Sequence, residues 1–159
     1  MPRDYRKKVA GDSPVEILLI EDNPTDARRT IRALRRGQVR CRVTVVEDGE
    51  QALQLLRESR MRPDLVLLDW YLPKKGGREV LDEIKNDPEL RRVPIVVLTV
   101  SDRQEDVTAA YNAHANSFVT KPVNPEQFDR TMKLMEIFWK GRRSPPSEHP
   151  TAVRKKRKR

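Results

Sequence analysis

A single cysteine, Cys41, stands in a chain of 159 residues. That excludes an intrachain disulfide and any metal centre built from several thiolates, and it suits a reducing compartment. Long apolar runs are missing too: no stretch approaches the roughly 18 residues a membrane span needs. The basic N-terminus is not followed by the apolar core of a secretion signal. The expectation is a cytoplasmic protein, neither exported nor embedded in a membrane. Internal repeats are absent, and 159 residues leave no room for a second ordinary folded domain beside the first.

Charge is present but unevenly placed. The formal net charge is +9, of which residues 140–159 hold +8 and residues 1–13 hold +2, leaving −1 for residues 14–139. The basic isoelectric point therefore describes the ends. Residues 1–13 read as a basic extension and 14–140 as one folded domain. Residues 141–159 read as a disordered, strongly basic tail, because Ser, Pro and Arg replace the apolar residues that would offset ordering entropy. The tail carries no helix-turn-helix pattern. Its charge fits a solvated tail or a nonspecific contact with nucleic acid or anionic lipid.

Within the domain, short apolar runs alternate with helical patterns. Strands are expected at 15–20, 42–46, 64–69, 94–99 and 116–120. Asn23 followed by Pro24 supplies a cap and a first-turn proline for a helix to about Arg36, ended by Gly37. Asp48 caps a helix to about Arg60, Gly76 and Gly77 precede a helix over 78–87 stopped by Asp87 and Pro88, and Asp102 caps a helix to about Ala113. The last helix runs from about Pro125 to Trp139, with Phe128, Met132, Met135 and Trp139 as its core stripe. Five strands alternating with five helices imply an α/β, flavodoxin-like, doubly wound parallel sheet of order 2-1-3-4-5.

Polar residues stand just where these runs stop: Glu21 and Asp22, Asp69, Thr99, and Lys121. Sites in such sheets lie at the carboxyl ends of the strands, so residues spread over a hundred positions should meet at one edge. Close carboxylates repel one another unless a hard divalent cation such as Mg²⁺ holds them. One of them can then serve as a nucleophile towards phosphorus.

The pattern Glu21-Asp22-Asn23-Pro24, then Asp69 with Leu72-Pro73 and Gly77, then Leu98-Thr99, then Lys121-Pro122 resembles the receiver domain of two-component response regulators over roughly residues 14–139. Pro73-Lys74-Lys75, the stretch from His114 to Phe118, and the Phe138-Trp139 ending resemble single-domain regulators that partner bacterial and cyanobacterial phytochrome kinases. The resemblance implies a phosphoacceptor switch, not an enzyme in its own right, with Asp69 taking a phosphoryl group from a sensor histidine kinase. It implies Mg²⁺ bound by Asp22 and Asp69, by Glu21 largely through water, and by the backbone carbonyl of Tyr71. Thr99 and Lys121 would bind the phosphoryl group, Thr99 and Phe118 would switch, and the Lys121-Pro122 bond would be cis.

Two positions depart from the commonest receiver pattern. Val100 stands where a small residue is usual, and Tyr71 is large; both are expected to crowd the phosphoryl site. His114 occupies a frequent glycine position and reads as a turn residue with positive φ. A haloacid-dehalogenase phosphatase would need a second Asp at the place of Tyr71, and a flavodoxin would need a Ser/Thr/Gly-rich loop where residues 21–24 stand. Leu134, Ile137 and Phe138 lie off the core stripe and suggest a homodimer through the last helix. The alternative function is a phosphorylation-controlled regulator acting on nucleic acid through its basic tail.

Overall fold

The computed structural model describes residues 13–58, 61–100 and 103–140, with side chains described as far as residue 135. The expected tail over 141–159, and all of the extension over 1–13 except Ser13, lie outside these residues. Strands β1 (Val15–Ile20), β2 (Cys41–Val46), β3 (Leu65–Asp69), β4 (Ile95–Thr99) and β5 (Ser117–Thr120) alternate with helices α1 (Pro24–Arg36), α2 (Gly49–Glu58), α3 (Gly77–Lys85), α4 (Gln104–Asn112) and α5 (Pro125–Lys140). All strand pairs are parallel and the sheet order is β2-β1-β3-β4-β5.

The central strands are apolar on both faces because helices cover both. On one face Leu18, Ile20, Val66, Leu68, Ile95 and Val97 pack against α2, α3 and α4. On the other, Ile17, Leu19, Leu65, Leu67, Val96 and Leu98 meet α1 and α5. Each of these three strands, β1, β3 and β4, thus divides its side chains between two dry layers, as an alternating pleat requires. In α5, Phe128, Met132 and Met135 are buried as the stripe predicts, while the side chain of Trp139 lies outside those described.

Local chemistry sets most boundaries. The Asn23 side chain accepts from the backbone N–H groups of Thr25 and Asp26 at 2.9 and 3.0 Å, and Asp48 accepts from Gln51 N–H at 2.8 Å. α3 ends earlier than expected, at Lys85, because Asn86 caps it before Asp87 and Pro88 are reached. At α4 the cap position is Arg103, which makes no side-chain capping bond; Asp102, the expected cap, lies outside the described residues. β5 begins after Asn116, whose side chain accepts from Ile95 N–H and whose own N–H donates to the Ile95 carbonyl, which ties the start of β5 to β4. His114 has φ 74°, as its reading as a turn residue requires, and Lys74 has φ 62°. The Lys121-Pro122 peptide bond is cis.

Candidate functional site

Strands β1, β3, β4 and β5 end side by side, and the residues at or just past their ends form one polar edge. Register places Asp69 opposite Leu98 and Thr99 opposite Thr120, so β3, β4 and β5 deliver Asp69, Thr99 and Lys121 in a row. Glu21 and Asp22 follow β1 directly, and Glu21 N–H bonds the Val46 carbonyl at 3.0 Å. Gly77 lets α3 start against this edge. A Cβ there would lie 2.7 Å from the carbonyl oxygens of both Asp69 and Trp70, closer than real Cβ contacts occur. The requirement for glycine here is one of space.

Lys121 sits at the centre. Its Nζ donates to Glu21 Oε1 at 2.7 Å, Asp26 Oδ2 at 3.0 Å and Asp69 Oδ2 at 3.4 Å. Burial works against its charge, but the bonds to Glu21 and Asp26 and the negative charge of Asp69 outweigh that and hold the amine above the ordinary lysine range. Asp69, only 5% exposed, is in the opposite situation. Burial, with the hydrogen bond and charge of Glu21, pushes its carboxyl up to about 7, against the opposing pull of Lys121 and of Tyr71 N–H. The edge therefore holds more negative charge than one ammonium offsets.

That surplus fits a cation. Carboxylate oxygens of Glu21, Asp22 and Asp69 all lie within 4.8 Å of one another, and oxygen donors of this kind suit a hard divalent ion. Glu21 and Asp69 are buried and Asp22 is exposed, so the cluster opens to solvent on one side.

Glu21, Asp22, Asp69, Thr99 and Lys121 all come to this edge while Phe118 stands within β5, and two contacts were not foreseen. Asp26, in the first turn of α1, is a third carboxylate on Lys121. Acids in a first helical turn are ordinary complements to the helix dipole, so nothing local marks this one. Tyr71 donates its hydroxyl to Asp106 Oδ2 of α4 at 2.6 Å while its backbone N–H donates to Asp69 Oδ1 at 3.2 Å. Tyr71 is 55% exposed, with its hydroxyl tied to α4. Val100 is exposed and lines a small cleft with Asp26, Arg29, Thr30, Lys121 and Pro122. Thr99 is fully buried, and Phe118 is half-buried against the α2–α3–α4 layer.

The sequence matches the family described as the response regulator receiver domain over residues 17–133. The chain belongs to that family. It is 40% identical to response regulator Rcp1 of Synechocystis sp. over 134 residues, covering 81% of this chain and 91% of that protein. It is 41% identical to the probable methanogenesis regulatory protein FilR2 of Methanothrix harundinacea over 140 residues, covering 85% and 90%. Among solved structures, this receiver resembles the phosphorylated cyanobacterial phytochrome response regulator RcpA, at 42% identity and a TM-score of 0.67 over 82% of this chain and 96% of that one. It also resembles the Mn²⁺-bound form of Rcp1, at 40% identity and a TM-score of 0.64, covering 79% and 94%. This receiver is thus a relative of single-domain response regulators, phytochrome-linked ones included, and a signalling switch by family.

Proposed function

We propose that this protein is a stand-alone response regulator that accepts a phosphoryl group on Asp69 from the phosphohistidine of a sensor histidine kinase and signals through altered protein contacts. The observation that carries this is the meeting of Asp69 with Glu21, Asp22 and Lys121 at the edge where Thr99 also ends its strand. In the transfer, a bond forms from an Asp69 carboxylate oxygen to phosphorus as the bond from phosphorus to the histidine nitrogen breaks. The Lys121 ammonium stands ready to exchange an Asp69 oxygen for a phosphoryl oxygen, and Thr99 contributes its hydroxyl from the adjacent strand. Tyr71 N–H already bonds Asp69 Oδ1 and so orients the carboxylate. Phe118 follows any movement of Thr99, with packing as its means, since Phe has no hydroxyl.

We assign Mg²⁺ to the carboxylates of Asp22 and Asp69, to Glu21 largely through water, and to the main-chain carbonyl of Tyr71. Bound there, it offsets the negative charge of the edge and of the incoming group. A phytochrome-type kinase is the partner class that the likeness to RcpA supports. Among the described residues no helix is long and apolar enough to cross a membrane, which accords with a cytoplasmic setting. The domain spans 14–140 in this reading, with a homodimer through α5. Leu134, 67% exposed, supports the dimer; the side chains of Ile137 and Phe138 lie outside those described. The alternative action on nucleic acid through the basic tail also rests on residues outside them.

The test is phosphorylation of wild type and Asp69→Asn by acetyl phosphate. The wild type is expected to form an acid-stable, base-labile adduct and the variant none; equal labelling refutes the assignment. Sedimentation of wild type and a Leu134→Glu, Phe138→Glu variant tests the dimer, which a monomeric wild type at high micromolar concentration contradicts.

A further inference from the structure

Tyr71 meets the acceptor edge with its main chain and a different element with its side chain. Its N–H donates to Asp69 Oδ1 at 3.2 Å, and its hydroxyl donates to Asp106 Oδ2, in the first turn of α4, at 2.6 Å. The two ends of its loop are fixed independently. Trp70 N–H bonds the Leu98 carbonyl at 2.9 Å, and Gly77 N–H bonds the Trp70 carbonyl at 3.1 Å where no Cβ would fit. Tyr71 lies between these anchors, and its ring runs outward to α4.

The helix it reaches is lightly held. α1, α2 and α3 each bury four residues, whereas α4 buries Ala110 alone, and its cap position, Arg103, makes no side-chain capping bond. A helix that buries so little apolar surface shifts at lower cost than its neighbours, so a side-chain bond weighs more in setting its position. The bond from Tyr71 is suited to that task. A phenol turns about only two side-chain torsions, and a hydroxyl-to-carboxylate bond of 2.6 Å is short and charge-assisted. Tyr71 is 55% exposed, so the bond does not answer the need of a buried hydroxyl.

We infer that Tyr71 and Asp106 form a clasp by which α4 positions the acceptor loop, the ring of Tyr71 carrying the position of α4 to the main-chain groups beside Asp69 and a change at Asp69 back to α4. The inference rests on the reading of Asp69 as acceptor. Asp106 touches no reacting atom and acts through Tyr71 as a positioning residue. A phosphoryl group on Asp69 changes what the Tyr71 main chain meets, and the ring transmits its displacement to the first turn of α4. Such coupling is reciprocal, so a change at Asp106 alters the affinity of the edge for its ligands. This route leaves the acceptor from the end of β3, apart from the one through Thr99 of β4 and Phe118 of β5.

The full chain is compared with Tyr71→Phe, Asp106→Ala, the double variant of these two, Asp106→Asn and Phe118→Ala. Calorimetric titration reads Mg²⁺ affinity. Mass spectrometry reads hydrogen exchange of the α4 amides with and without Mg²⁺ and beryllofluoride, a stand-in for the phosphoryl group. Tyr71→Phe and Asp106→Ala are each expected to weaken Mg²⁺ binding about threefold. The double variant should lose no more than either, because both changes remove the same bond. Asp106→Asn keeps an acceptor for the phenol and should retain most of the affinity. Beryllofluoride should change α4 exchange in the wild type and in Phe118→Ala, and Tyr71→Phe should lose most of that response. A merely structural bond would lower the unfolding midpoint and leave the Mg²⁺ affinity of the folded protein unchanged. Unchanged affinity in both single variants, losses that add in the double, or a loss in Asp106→Asn as large as in Asp106→Ala overturns the proposal. So does an α4 response that survives in Tyr71→Phe and vanishes in Phe118→Ala. Should Asp106→Ala unfold, Tyr71→Phe, which removes one oxygen from an exposed residue, decides the question. Failure of the underlying reading shows separately, as an Asp69→Asn protein whose α4 responds to beryllofluoride as the wild type does.

Discussion

Lys85 and Lys121 each draw an amine out of water, and their surroundings push them in opposite directions. Lys85 donates to the Arg91 and Val93 carbonyls at 3.2 and 3.0 Å and to Asn116 Oδ1 at 3.3 Å, all neutral acceptors. Burial takes its amine down to about 8. Lys121 has carboxylates instead of carbonyls, and they hold its charge in place although burial opposes it. One lysine ties the loop after α3 to the start of β5. The other balances a site. Hydrogen bonds to neutral groups satisfy a buried ammonium but leave burial free to loosen its proton, whereas nearby opposite charge holds that proton more tightly.

The sharpest way to break this comparison is to remove each amine. Lys121→Met leaves Glu21 and Asp69 buried without their counter-charge and is expected to cost about 3–5 kcal/mol in denaturant unfolding at pH 7 without Mg²⁺. Lys85→Met should cost clearly less, because it strands only neutral acceptors; equal losses would mean that the acids around Lys121 contribute nothing. Next in size, Gly77→Ala forces a Cβ against the Asp69 and Trp70 carbonyls. A loss of about 1–3 kcal/mol is expected, together with slower phosphorylation, since the strain falls on the acceptor strand.

A pH series sharpens the contrast further. The Lys85 value of about 8 lies below its ordinary 10.5, so between those pH values the unfolded chain keeps a proton that the folded chain has released. Stability from this group therefore rises with pH across that window. The wild type should gain on Lys85→Met between pH 8 and pH 10, as read from unfolding midpoints; a constant difference would show that the amine is not depressed.

How far this was legible depended on distance in sequence. Strand ends announce themselves, because an apolar run that stops at Asp69 or Thr99 also marks the sheet edge, and parallel topology does the rest. Asn23-Pro24 announced α1 because a cap and its proline are adjacent. Asp26 gave no such sign: its partner lies 95 residues away, and a first-turn acid is commonplace. The bond from Tyr71 to Asp106 crosses 35 residues and depends on the start of α4, which no strong cap marks. The expectation that Tyr71 crowds the acceptor did not anticipate a hydroxyl tied to α4.

That tie sets the smallest predicted effect. Tyr71→Phe should lower stability by no more than about 1 kcal/mol, as loss of one exposed hydrogen bond does. It frees the ring to approach Asp69, so the phosphoryl group should be lost more slowly than in wild type, while Tyr71→Asn and Val100→Ala should lose it faster. Decay unchanged in all three would show that these side chains do not govern access of water.

The most direct measurement is to locate the phosphoryl group itself. After incubation with acetyl phosphate and Mg²⁺, peptide mapping by mass spectrometry should place the adduct on Asp69, and withholding Mg²⁺ should abolish it. An adduct on another residue, or one formed equally well without the metal, would contradict the account.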